Sequence, residues 1–222
     1  MGTLYLVRHG QASFGADNYD QLSALGQQQS LRLGEYWRAQ GLQFDAVLTG
    51  TLQRQQQTWA GIAQGAGYAH EALQWPGLNE YHSEAVIAAI HPQPLAKPDT
   101  PELYRHHFRL LREGLLQWMK GKTQPQGMPP YAEFLAGVTN ALDHVRTNHE
   151  GAVLLVSSGG PIAMAVGQVL GLTPEATIEL NLRIRNSAVT EFIFNPKRHT
   201  LLSYNSLPHL SQPEHTTWVT YA

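Results

Sequence analysis

The chain has 222 residues, with 15 Lys+Arg against 17 Asp+Glu for a formal charge of −2, 11 His and no Cys. This balance, with its basic residues scattered, points away from nucleic acid, and no apolar run approaches the roughly 20 residues of a membrane span. Zero Cys excludes disulfides, thiolate nucleophiles and Cys-ligated zinc together. The start, Met1-Gly2-Thr3, leads into a strand-like run with no basic region or cleavage site, so the expected compartment is cytoplasmic. Hydrophobic residues at 42% suffice for one α/β domain with a sizeable core. Charged residues are 14%, against a usual ~25%, and the glutamine runs Gln27-Gln28-Gln29 and Gln55-Gln56-Gln57 read as solvated helix faces.

Thr3 to Val7 (TLYLV) predicts a buried strand that stops at Arg8-His9-Gly10. Ser23 to Gln40, with Leu25, Leu31, Leu33 and Trp37, predicts a helix ended by Gly41. Ala46-Val47-Leu48 is a second strand, and a helix follows from Leu52 to Ala63. From His82 to Glu150 no strand is expected, only helices between Pro-rich breaks. This reads as a helical cap insertion over 82–150 within one domain spanning 1–222. In it, Thr100 and Pro101 open a helix to Lys120, and Tyr131 to Thr147 carries the stripe Phe134, Val138, Ala141, Val145. Ala152 to Val156 returns to the sheet, and Ser157-Ser158-Gly159-Gly160-Pro161 opens a helix to Leu170. Val189 to Phe194 and Thr200 to Asn205 read as late antiparallel strands at an edge. The β-α-β-α order predicts a three-layer α/β sandwich, a mostly parallel sheet with helices on both faces.

In such sheets ligands collect at the carboxyl ends of the strands. At the first junction Arg8 offers a planar fork of donors suited to phosphate, and His9, if neutral and oriented, is a nucleophile. From spacing alone an Arg and a His that merely end a strand and face water fit as well.

Taken together, the motifs resemble the histidine phosphatase superfamily, also called phosphoglycerate mutase-like. Arg8-His9-Gly10 matches its signature, and further pieces follow in its order. Asp20 to Gln28 is similar to its "D-x-L-T/S-x-x-G-x-x-Q" segment, and Thr49 to Thr58 to its "S-x-L-x-R-x-x-x-T" segment. Leu78-Asn79-Glu80 is similar to its "L-x-E" element, and Ser203-Tyr204-Asn205 with His209-Leu210 to its closing strand and tail. The resemblance implies that His9 attacks phosphorus and forms a phosphohistidine, with Arg8 and Arg54 on the non-bridging oxygens. Glu80 would protonate the leaving oxygen and then activate water. It implies a small phosphorylated substrate and neither cofactor nor metal, and it leaves oligomeric state open.

The chain departs from the family where a second pocket histidine usually stands in "V-x-H-G-G", for it reads Val156-Ser157-Ser158-Gly159-Gly160. A hydroxyl replaces an imidazolium, a loss of roughly 1.5–3 kcal/mol that weakens a phosphatase without abolishing one. Ser158 and Gly159, entering a helix, still form an anion site from backbone N–H groups. Gly15 stands where mutases tend to carry a phosphate-contacting Asn, with Ser13 or Asn18 as candidate replacements. A serine-hydrolase elbow is disfavoured because G-x-S-x-G is absent, and no metal-ligand spacing appears among the histidines, most of which read as solvated. Arg105, Arg109 and Arg112 read first as a solvated face and second as selectors of an acidic substrate. The expected activity is phosphomonoester hydrolysis. The alternatives are a weak or inactive relative that binds a phosphorylated ligand, and a phosphomutase. If the pocket is otherwise intact, Ser158→His is expected to raise the rate.

Overall fold

The computed structural model describes residues 1–13, 19–95 and 99–221. Period-two alternation sorts the first strand, β1 (Gly2–Arg8), between two apolar layers: Leu4 and Leu6 face one, Tyr5 and Val7 the other. A strand apolar on both faces belongs inside a sheet, and β1 is third from one edge. The remaining strands are β2 (Ala46–Thr49), β3 (Leu73–Gln74), β4 (Gly151–Ser157), β5 (Val189–Asn195) and β6 (Arg198–Ser206), in the order β3-β2-β4-β1-β5-β6. The pairs β1·β4, β2·β4 and β2·β3 are parallel, while β5 runs against both β1 and β6. Of the two late strands only β6 lies at the edge; β5 is interior because Phe192 and Phe194 supply a buried apolar face.

Helix α1 (Ala24–Ala39) starts at Ser23, whose side chain accepts from the Gly26 N–H, and α2 (Gln53–Ala66) ends at Gly67 with φ 76°. Both pack on the Val7, Val47, Leu154 and Val156 face. They approach backbone to backbone: a Cβ on Gly34 would stand 2.1 Å from the Ile62 carbonyl oxygen, and one on Gly65 would stand 2.2 Å from that of Leu31. The opposite face carries α5 (Tyr131–Asn148) and α6 (Gly159–Leu170).

Between β3 and α5 lie α3 (Ser83–Ala88) and α4 (Pro101–Met119), the latter capped by Thr100. Helices α3 and α4 share a separate cluster of Val86, Leu111, Leu115 and Trp118 with Met164 of α6 and Ile178 of α7 (Pro174–Asn181). Within 82–150, then, α5 is a sheet-packing helix, and α3 with α4 covers α6 and α7. The sequence pattern passed over α7, although Thr173 and Pro174 mark its start, and β3, which has only two residues.

His209, on the turn Pro208–Leu210, is 1% exposed, against the expectation that most histidines are solvated. Its Nε2 lies 3.0 Å from the Ser187 hydroxyl, and burial pulls its pKa to about 3. The unfolded chain takes up this proton near pH 6.5, so between those values it binds more protons than the folded one, and stability falls as pH falls. From about pH 7.5 to about pH 5 the loss through His209 is about 2 kcal/mol. Urea unfolding at the two pH values checks this, and His209→Gln is expected to shrink the difference between them.

Candidate active site

The carboxyl ends of β1 and β4 are adjacent, with Arg8 opposite Ser157, and three backbone contacts hold His9 there. Its N–H donates to the Ser157 carbonyl at 2.9 Å, and its carbonyl accepts from the Ser187 N–H at 3.2 Å and from Asn186 Nδ2 at 3.3 Å. Gly10 follows because α1 is pressed against it: a Cβ there would meet the Gly26 carbonyl at 2.4 Å. The Gly10 N–H is taken by Thr58 Oγ1 at 3.0 Å, and that hydroxyl donates to the Arg54 carbonyl at 2.7 Å, which ties β1 to α2.

The His9 ring is 3% exposed. Its Nδ1 is 2.7 Å from the Gly10 carbonyl oxygen, which only accepts, so Nδ1 carries the proton. Its Nε2 receives Arg54 Nε–H at 3.2 Å and therefore holds a lone pair. Burial first, then the charges of Arg8 and Arg54, pull the imidazole well below its ordinary pKa, outweighing the Gly10 bond. The ring is neutral and oriented, with its Nε2 lone pair directed at Arg54 Nε.

Arg54 is buried at the start of α2 and paired with Asp20, Nη1 to Oδ1 at 2.8 Å, while Tyr19 lies with its ring 5.4 Å from the guanidinium carbon. Asp20 Oδ2 also accepts the Gln53 N–H at 2.9 Å, so one carboxylate both caps the helix and aims the arginine. Arg8 Nη1 donates to the carbonyls of Ile184 at 2.5 Å and Tyr221 at 2.6 Å. Among the described residues its buried Nε has no hydrogen-bond partner, and a Cβ on Gly159 would stand 3.7 Å from it. An anion accepting there would satisfy that donor.

Glu80 faces the start of α6: Oε2 accepts the Gly160 N–H at 3.1 Å and Oε1 the Tyr81 N–H at 3.2 Å. Burial, the largest influence, raises its pKa, and the two N–H groups and both arginines oppose this. Gly160 needs no side chain here, since a Cβ would fall 2.3 Å from Glu80 Oε1. Tyr81 Oη accepts from Asn181 Nδ2 at 2.8 Å.

Arg8, His9, Arg54, Glu80, Ser158 and Gly159 thus meet at one end of the sheet. Ser13 is held by its backbone N–H to the Gln21 carbonyl at 2.8 Å, and among the described residues its hydroxyl joins none of the contacts above. Gly15 and Asn18 lie outside the described residues. Arg105, Arg109 and Arg112 bond Glu102, His106 and Glu179 on the exposed side of α4. No His, Asp and Glu cluster able to hold a metal occurs among the described residues, and none of their helices is long and apolar enough to cross a membrane.

The glutamine runs are corrected. Gln29 and Gln55 are fully buried. Gln29 accepts the Gln11 N–H at 2.8 Å and donates to the Trp218 carbonyl at 2.6 Å and to Thr220 Oγ1 at 3.0 Å. Gln55 donates from Nε2 to Ser158 Oγ at 2.8 Å and to the Leu78 carbonyl at 2.9 Å. Gln57 Oε1 accepts the Leu22 N–H at 2.8 Å. A long neutral amide can be buried where its bonds are filled, at far less cost than a charge. Sequence reasoning also passed over Asp20 as partner of Arg54 and Thr58 as tie to Gly10, although both stand inside the quoted segments.

The fold is thus a mostly parallel α/β sheet with a buried neutral imidazole at a strand end, flanked by the guanidinium groups of Arg8 on β1 and Arg54 on α2. The pattern of the histidine phosphatase superfamily (branch 1) matches residues 4–207, and the chain belongs to that family. A probable phosphoglycerate mutase, GpmB, of Cronobacter sakazakii is 28% identical over 202 residues, 84% of this chain and 82% of its own. A phosphoserine phosphatase of Entamoeba histolytica, solved with 3-phosphoglyceric acid, has a similar fold, with TM-score 0.66, 19% identity, and coverage of 95% of this chain and 100% of its own. A mycobacterial glucosyl-3-phosphoglycerate phosphatase, solved with VO3, gives a TM-score of 0.65, 22% identity, and coverage of 93% and 100%. The relatives are phosphatases or mutases.

Because Arg54 both donates to Nε2 and repels a proton there, Arg54→Ala is expected to raise the His9 pKa. The shift is read from the imidazole 15N and 1H resonances across a pH series; an unchanged titration would show that burial and Arg8 suffice to keep the ring neutral.

Proposed function

We propose that this protein is a phosphomonoester hydrolase that works through a phosphohistidine at His9, with Arg8, Arg54, Ser158 and Gly159 binding phosphate. The observation that carries the reading is the buried, neutral His9 ring, protonated on Nδ1 and bearing its lone pair on Nε2 between two arginines. The phosphate group displaces Arg54 Nε–H from Nε2 and accepts from the unpaired Arg8 Nε. Nε2 then attacks phosphorus in line, the N–P bond forms, and the bond to the leaving oxygen breaks. The Nδ1 proton stays, and the Gly10 carbonyl offsets the charge that appears on the ring. Glu80, lifted by burial, gives its proton to the leaving oxygen. In the second half it takes a proton from water as the water oxygen attacks phosphorus, the N–P bond breaks, and inorganic phosphate leaves with His9 neutral again.

The substrate is a small phosphorylated metabolite in the cytoplasm, and the helices α3 and α4 form the cap beside the pocket. A phosphomutase is the second reading, favoured by the named relative from Cronobacter sakazakii. Against it, among the described residues the cations that bear on His9 and Glu80 are Arg8 and Arg54 alone, and the arginines of α4 are engaged elsewhere. A catalytically silent phosphate binder is the third.

Incubation with an aryl phosphate is expected to give turnover and an acid-labile phosphoenzyme, both lost in His9→Ala. Absence of turnover and labelling across a broad phosphoester panel would falsify hydrolysis. Activity that requires a bisphosphorylated primer would favour the mutase. Glu80→Gln is expected to lower kcat/KM by about 10²–10⁴ for an alkyl phosphate and much less for an aryl one, whose leaving group needs no acid, while kcat falls for both because the same phosphoenzyme must be hydrolysed. kcat/KM should fall at low pH as His9 gains a proton and at high pH as Glu80 loses one, and Glu80→Gln should lack the alkaline limb.

A further inference from the structure

Ser158 is the last residue before α6 and sits in the extended N-cap conformation, φ −120° and ψ 173°, yet its side chain makes no cap bond. An N-cap serine ordinarily turns its oxygen onto the first N–H groups of its own helix. Here one of those groups, the Gly160 N–H, is taken by Glu80. The Ser158 oxygen is instead taken up from behind, by Gln55 Nε2 at 2.8 Å. The amide cannot turn over without penalty: its second hydrogen goes to the Leu78 carbonyl at 2.9 Å, and its Oε1 accepts the Leu52 N–H at 3.3 Å. Reversal would set Oε1 against the Leu78 oxygen. Ser157 Oγ donates to that same carbonyl at 2.7 Å, which closes the other side of the network. Both Gln55 and Ser158 have no exposed surface. The hydrogen of the Ser158 hydroxyl remains, on a strand end next to that of His9, whose N–H reaches the Ser157 carbonyl.

We propose that Gln55 is a positioning residue that holds the Ser158 oxygen as acceptor, so that the Ser158 hydroxyl donates its hydrogen to the bound phosphate as an uncharged replacement for a pocket imidazole. This rests on the phosphate-handling reading of the site. Two consequences follow from the geometry. The amide lies 2.8 Å from the Ser158 oxygen, so an imidazole at position 158 that followed the same direction from the backbone would collide with it, and Ser158→His alone is expected to disrupt the pair. A hydroxyl does not titrate near neutrality, so phosphate binding draws no pH dependence from this position.

The test combines calorimetry with inorganic phosphate and aryl phosphate kinetics, with melting temperatures recorded for each variant. Gln55→Met and Ser158→Ala are each expected to weaken phosphate binding about three- to tenfold, and the double variant no more than Ser158→Ala alone, because the two act as one unit. Ser158→His is expected to lower turnover. Gln55→Ala with Ser158→His should recover it and give a phosphate affinity that changes between about pH 6 and pH 8 by more than the wild-type affinity does, since phosphate exchanges a proton in both and an imidazole titrates only in the variant. A purely structural role of Gln55 would lower the melting temperature and leave the phosphate affinity untouched. Wild-type affinity in Gln55→Met, additive losses in the double variant, or faster turnover in Ser158→His alone would overturn the pairing. Should Gln55→Met fail to fold, Ser158→Ala decides alone, and an unchanged affinity there has the same force. A protein that binds phosphate through this pair but turns nothing over loses the hydrolysis reading and keeps this one.

Discussion

A buried imidazole set between two guanidinium groups has one stable state, the neutral one, and much of this fold serves to choose its tautomer. The bond from His9 Nδ1 to the Gly10 carbonyl makes that choice. It holds only if the Gly10 backbone is fixed, and three elements fix it. The parallel register of β1 and β4 brings the Ser157 carbonyl to the His9 N–H, α1 closes on Gly10 where a Cβ would not fit, and Thr58 of α2 takes the Gly10 N–H. The close glycine contacts of α1 with α2 therefore set more than packing. They place Arg54 and Thr58 at the height of His9.

Glu80 meets the same low-polarity surroundings with the opposite requirement. In the proposed cycle it is neutral in one half and charged in the other. Burial favours the acid, and the Gly160 N–H at the positive end of α6, together with both arginines, favours the carboxylate. These influences oppose one another, and burial prevails, so the carboxyl is held above its ordinary range. A serine at position 158 adds no charge to disturb this balance, whereas an imidazolium beside Arg8 and Arg54 would favour the carboxylate further.

The strand ends, the helices with recognisable caps and the residues Arg8, His9, Arg54 and Glu80 were legible in the sequence, because each sits in a local pattern or an ordered motif. The glutamines were not. A run of three identical amides at the start of α2 carries no mark to say that Gln55 points inward; the Ser158 hydroxyl and the Leu78 carbonyl, distant in sequence, decide it. Gln29 is the same case, bound to Gln11 on one side and to residues 218 and 220 on the other. The low charged fraction, 14%, takes on meaning here: part of the polar content of this chain is interior. Helix α7 and the two-residue β3 escaped notice for a simpler reason, being too short for periodicity to register.

Arg8 draws part of its support from an unusual quarter. Its Nη1 rests on the Tyr221 carbonyl, and the segment leading there includes the turn Pro213–Trp218, in which no residue is buried. Polar bonds from Gln29 and Asn186 fasten that segment to the body of the protein. Regions with little buried apolar surface open locally at a small fraction of the free energy of global unfolding. The guanidinium at the strand end is thus completed by a stretch of backbone held by polar bonds rather than by buried apolar surface, while His9 beside it is held by the core. On heating, catalytic competence and the folded state should part company, the first failing while the sheet and its helices are still intact.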